Sequence, residues 1–177
     1  MITTRQIKII LKDRKLFVSI ILVIIGLIFL GHYLLKDKVN SKSDLFDITT
    51  KLRDFSFDEY NGNRNHTYSY YLYLDGYRNN FQIIADFVDY FNKDYFERTI
   101  KVGDSIRIFI SRNDFANIQN NDKIKVFGIY SKNSVYLHCD NSIDQYNSRL
   151  TLYGGLIFVV VGLILFYTNK DKLIEKN

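Results

Sequence analysis

The densest chemistry in this chain lies at His138-Cys139-Asp140, where a base, a nucleophile and an acid are consecutive. A cysteine attacks as its thiolate, so it needs a base within hydrogen-bond reach. Read as a strand, SVYLHC denies it one, because neighbouring strand residues point to opposite faces. Cys139 then shares the face of Val135 and Leu137, the side expected to be core, and the better reading is a buried thiol. His32, His66 and His138 are too scattered for the short spacings of a metal site. Asp86, Asp89 and Asp94 could pair as carboxylates, but on an exposed helix face they read as solvating charges. Tyr71, Tyr73, Phe109 and Phe127 are the better candidates, since each falls opposite the expected core face of its strand. Exposed rings there could stack on a sugar or grip a protein; the competing reading packs them against a helix. These four form the candidate partner-binding surface, and no catalytic, cofactor-binding or metal-ligating residue is expected.

Two stretches decide where such a surface would sit. Leu16 to Leu35 runs twenty residues without a formal charge. As a helix it would be ~30 Å long, the thickness of a bilayer's hydrocarbon core. A soluble core helix would carry a polar stripe, and this one has none. Leu150 to Tyr167 has the same character. The apolar core of the first stretch is too long for a signal peptide and no small-x-small cleavage site follows, so a retained anchor is expected. Gly155 and Gly162, seven apart, share a helix face, with Gly26 as a plausible counterpart for close packing of the two spans.

The chain therefore divides into a basic tail (1–15), a span (16–35), a β-rich domain (36–149), a second span (150–167) and a short tail (168–177). The net charge of +5 would suggest nucleic acid if it were spread over the whole chain. It is not: Arg5, Lys8, Lys12, Arg14 and Lys15 crowd one tail and three lysines the other, while the middle domain is neutral. No nucleic-acid partner is expected. By the positive-inside rule both termini lie in the cytoplasm and the domain outside. The absence of Pro and Trp, with abundant Ile, Lys, Asn and Tyr, has the look of an AT-rich bacterial genome, which would place the chain in a bacterial cytoplasmic membrane. The single cysteine rules out an internal disulfide, so the domain must hold by packing alone.

Within the domain, residues 36–46 read as a linker and Asp47–Phe57 as a strand. Asn61–Asn65 is turn material. His66–Leu74 alternates with Tyr68, Tyr70, Leu72 and Leu74 inward, and Asp75-Gly76 suits a two-residue hairpin returning over Tyr77–Ile83. Ile84, Phe87, Val88, Phe91 and Tyr95 form one stripe of a helix over 85–97. SIRIFI, KIKVFGIY and SVYLHC follow as strands, with a bulge expected at Gly128 where the alternation changes phase. Three strands, a helix and two or three strands is the order of the OB-fold, a small five-stranded barrel; a helix-capped sandwich fits nearly as well.

Lys101-Val102-Gly103-Asp104-Ser105-Ile106, preceded by the Asp75-Gly76-Tyr77 turn, carries a further likeness. The layout resembles small bacterial membrane proteins of unknown function in which two helices flank a compact β domain with a Gly-Asp turn before a strand. That resemblance implies no catalytic residues. The function expected is a membrane-anchored binding or accessory module facing outward, with the bilayer and a protein as partners. An immunity-like protein that meets an incoming toxin is one form of it. The competing expectation is a non-catalytic subunit of a transport or envelope enzyme complex.

Overall fold

The computed structural model describes residues 14–170 except 62–65 and 133, together with all side chains in that range but those of Asn61 and His66. Most of both tails and the turn expected at 61–65 therefore lie outside the described residues. Helix α1 (Arg14–Leu35) is followed by a 3-10 turn (Lys42–Asp44), then β1 (Leu45–Asn61), β2 (His66–Leu74) and β3 (Asn80–Ile83). A 3-10 helix (Ala85–Tyr90), α2 (Lys93–Thr99), β4 (Ser105–Ser111) and α3 (Arg112–Ala116) come next. The chain continues through β5 (Lys123–Ser131), β6 (Ser134–Leu137), α4 (Cys139–Tyr146) and α5 (Leu150–Asn169). Two units result, one of residues up to Asp37 and from Ser148 onward, the other Lys38–Asn147.

In the first unit, α1 and α5 are each long and apolar enough to cross a membrane. They meet through small residues. A Cβ on Gly26 would lie 2.7 Å from the Gly155 carbonyl, and one on Gly162 2.8 Å from that of Ser19. Ser19 and Gly26 are thus matched with Gly162 and Gly155 in antiparallel order. The Ser19 hydroxyl is buried there and satisfied by its own helix, donating to the Leu16 carbonyl at 2.7 Å. Away from this seam the surface is apolar, with Leu27, Ile28, Ile157 and Ile164 all more than half exposed.

The second unit is a closed five-stranded barrel with helices, and closure removes the sandwich from consideration. Pairing runs β1-β2-β3-β5-β4 and back to β1, with β3–β5 parallel, the other pairs antiparallel, and β6 added antiparallel to β5. The first strand makes closure possible. Longer than its sequence suggested, β1 pairs with β4 over Leu45–Lys51 and with β2 over Leu52–Asn61, with an irregularity at Leu52/Asp54 where it bends. Alternation supplies the core: Ile48, Tyr70, Leu72, Leu74, Phe81, Ile106, Ile108 and Ile110 are buried. The Asn147 side-chain amide donates to the Val39 carbonyl, tying the two ends of the domain together.

Three expectations are corrected. The Asp75-Gly76 turn forms, with Gly76 at φ +82° and the Tyr77 amide donating to the Leu74 carbonyl at 3.3 Å. Pairing nevertheless resumes only at Asn80, with Leu72 opposite Phe81. Residues 77–79 are drawn aside instead, for the Asn79 amide donates to the Ile118 carbonyl at 2.6 Å and the Asn80 N–H to that of Asp122 at 2.8 Å. Barrel closure onto β5 thus overrides the tight hairpin.

The single helix over 85–97 is in fact two. Phe91 and Phe96 are both buried, their rings 5.6 Å apart. Five residues of one α-helix would set them about 140° apart. The chain breaks at Asn92, whose side chain accepts from the Tyr95 N–H at 3.2 Å and caps α2. Tyr95, on the expected apolar stripe, is left at the surface.

The last strand stops at Leu137. Cys139, read from the sequence as the end of that strand, instead opens the helix α4.

Beside this helical layer, Glu59 on β1 receives the Lys93 ammonium at 2.7 Å and the Tyr70 hydroxyl. The lysine's hydrogen bond, then the tyrosine's, holds the Glu59 carboxyl below the usual range, and the same contact raises Lys93. Burial, then the Glu59 bond, pushes the Tyr70 phenol up. A carboxyl lowered by folding adds stability that is complete above its unfolded pKa, ~4.3, and is lost as pH falls through the folded value. The lysine's share is present below its own unfolded pKa and disappears only above ~10.4. The wild-type melting temperature is therefore expected to fall more steeply between about pH 5 and pH 3 than that of Glu59→Gln. Parallel curves would show that this contact is not linked to folding.

Candidate functional site

The four aromatic residues expected at one surface are not brought together. Phe109 is 5% and Phe127 1% exposed, so neither is a surface ring. The cause is the bulge at Gly128. Phe109 pairs with Gly128 but Ile110 with Val126, which leaves Phe127 as the extra residue. Its ring turns under the 3-10 helix and α4, 5.4 Å from Phe87 and 5.1 Å from Tyr146. Phe109 fills the space that Gly128 leaves open, edge-on to Tyr130 at 5.2 Å. Tyr71 and Tyr73 do lie on the outer side of β2, both half-buried, with the Lys123 ammonium 5.9 Å from the Tyr71 ring. Among the described residues no ring contact joins any two of the four.

Cys139 is buried, as the buried-thiol reading required, although it sits at the start of α4 and not on a strand. Its sulfur takes a 3.5 Å hydrogen bond from the Tyr130 hydroxyl, which in turn accepts from the Cys139 N–H at 3.2 Å. Burial pushes the thiol up and, with the bond to Cys139, the Tyr130 phenol to about 12. Both groups therefore stay protonated at neutral pH. His138 and Asp140 point to solvent, and the partner of the sulfur is a tyrosine, not a base. Asp86, Asp89 and Asp94 are likewise exposed.

The register assembles something else on the outer face of β1, β4, β5 and β6. Thr49 stands opposite Arg107, Arg107 opposite Tyr130, and Tyr130 opposite Val135, one row crossing four strands. Above it lies an open groove of about 420 Å³, which Lys42, Ser105, Phe109, Ser131, Lys132 and Ser134 also line. The Lys42 ammonium stands 4.9 Å from the Phe109 ring centre and 5.5 Å from that of Tyr130. Arg107 lies 5.0 Å from the Phe109 ring, and its Nε donates to Asp47 at 3.0 Å. Ring faces hold the Lys42 ammonium in place without neutralising it, whereas Arg107 is also paired with the Asp47 carboxylate.

No family model, curated protein or solved structure matches this chain. What the protein does has to follow from its own residues.

Nothing in the local sequence marks the groove. Lys42, Arg107 and Lys132 come from three segments far apart in the chain, and each reads alone as an ordinary surface charge. The one signal was Gly128, whose missing side chain lets Phe109, Tyr130 and Cys139 close up beneath the groove: a Cβ there would overlap the Cys139 sulfur and come within 2.9 Å of the Tyr130 ring.

Proposed function

We propose that this protein is a two-span membrane protein with both termini in the cytoplasm, displaying an OB-like barrel outside as a binding module. The carrying observation is the pair α1 and α5. Each is apolar around its whole circumference, and the two pack on a seam of small residues that hides only a narrow strip of that surface. In water the remainder would be a large apolar patch; in a bilayer it is solvated. The basic residues of the two tails favour a cytoplasmic position for both ends.

Binding is the activity that suits the domain. Its barrel interior is filled by side chains, so a ligand must be met from outside. The outer groove offers cations, hydroxyls and ring faces, which hold and orient a partner.

Topology provides the test. A cysteine at Val102, which is 61% exposed, is expected to react with an impermeant maleimide in intact cells. One at Lys170 is expected to react only after lysis, with the protein remaining in alkaline-washed membranes. The reverse labelling pattern would invert the orientation, and release by alkaline carbonate would remove the membrane reading.

A further inference from the structure

We propose that the groove over β4, β5 and β6 is a phosphoryl-binding site in which Lys42, Arg107 and Lys132 hold the terminal oxygens of a phosphate ester. The proposal rests on the binding role argued above and names its ligand class.

Among the described residues three positive ones line the groove and no acidic one does. The Asp47 carboxylate meets Arg107 through Nε, at 3.0 Å. That leaves the guanidinium's Nη donors for a ligand. Lys42 is held over the Phe109 and Tyr130 rings, while Lys132 belongs to the turn joining β5 to β6. Thr49, Ser105 and Ser134 add hydroxyl-bearing side chains to the lining, the Ser134 hydroxyl hydrogen-bonded to that of Tyr95 at 3.1 Å. A carboxylate brings one charge and two oxygens, which a single guanidinium satisfies. A phosphate monoester brings close to two charges and three strong acceptor oxygens, the better match for a groove lined by three cations of which one is paired with Asp47. The apolar remainder of such an ester would find the Tyr130 ring and Val135 beside it.

The source of the phosphoryl group, a soluble ester or a lipid headgroup, is separable by experiment. Full-length protein in a neutral detergent micelle would be titrated calorimetrically with inorganic phosphate, glycerol 3-phosphate and acetate. In parallel, its melting temperature would be read in phosphatidylcholine nanodiscs with and without phosphatidic acid. The phosphates are expected to bind and acetate to bind more weakly. Lys42→Ala combined with Lys132→Ala is expected to weaken phosphate binding by roughly tenfold or more. Lys101→Ala combined with Lys123→Ala, which removes the same charge elsewhere on the domain, is expected to change it by less than about twofold. A melting shift seen only with phosphatidic acid, and abolished by the groove double variant, would assign the site to lipid headgroups and equally support the proposal. It is overturned if neither arm shows binding, if acetate binds as tightly as phosphate, or if both double variants weaken binding alike. Those failures leave the topology result untouched, so the ligand class and the membrane reading stand or fall separately.

Discussion

Replacing Leu72 by alanine is expected to destabilise the barrel domain by about 2–5 kcal/mol, the range for deleting a fully buried leucine side chain. Leu72 is completely buried, with Phe55 opposite it on β1 and Phe81 on β3. Truncation leaves a cavity at the point where three strands of the barrel meet, and surrounding strands cannot collapse into it without breaking closure. At roughly 4–8 °C per kcal/mol for a domain near this size, the melting temperature should drop by about 10 °C or more. Tyr71 is the control, because it stands one residue away on the outer face and is only half-buried. Tyr71→Ala is expected to cost under about 1 kcal/mol. Near-ultraviolet circular dichroism of the full chain in detergent would follow both transitions. Equal losses would mean that the outer face of β2 is as buried as the inner, contrary to the alternation on which the barrel rests.

That alternation is why much of the fold is legible without coordinates. In β2 and in the first halves of β4 and β5 one face is buried and the other is not, so a period of two survives in the sequence. The inward set Tyr70, Leu72 and Leu74, the strand SIRIFI and the bulge at Gly128 all follow from it. The method fails where both faces are covered. Phe109 and Phe127 alternate away from the core and so read as exposed, but the 3-10 helix and α4 pack over Phe127, while Tyr130, Lys42 and Arg107 close over Phe109. Helix α4 itself carries a weak pattern, with Cys139, Ser142, Ile143 and Tyr146 buried in an otherwise polar run. The break at Asn92 was hidden for a different reason: a sound 3.6-residue stripe through Tyr95 outweighed the isolated Phe96. Beyond the hint at Gly128 the groove was illegible, because it exists only through the register of four strands and one 3-10 turn.

The same residue that betrayed the bulge also controls the floor of the groove, and Gly128→Ala is expected to destabilise the domain by about 1–3 kcal/mol through overpacking. The backbone at Gly128 does not have positive φ, so alanine is conformationally acceptable and any cost must come from space. The new methyl would overlap the Cys139 sulfur and stand 2.9 Å from Tyr130 Cε2 and 3.3 Å from Phe109 Cδ2. Of these neighbours the sulfur is the closest and the simplest to remove. Cys139→Ala alone should cost about 1 kcal/mol, as expected for a small buried side chain whose tyrosine hydrogen bond is lost. Adding Cys139→Ala to Gly128→Ala should cost less than that, or restore stability, because the deleted sulfur vacates the volume the new methyl needs. The coupling would be on the order of 1 kcal/mol, well above the few tenths expected of independent sites. Phosphate titration of the same three variants extends the test to function. Gly128→Ala displaces the Phe109 and Tyr130 rings on which Lys42 rests, so it should weaken phosphate binding even where the domain remains folded, and the double variant should recover part of it. Strict additivity in stability would show that Gly128 and Cys139 do not share a packing site, and the bulge would lose its role in shaping the groove.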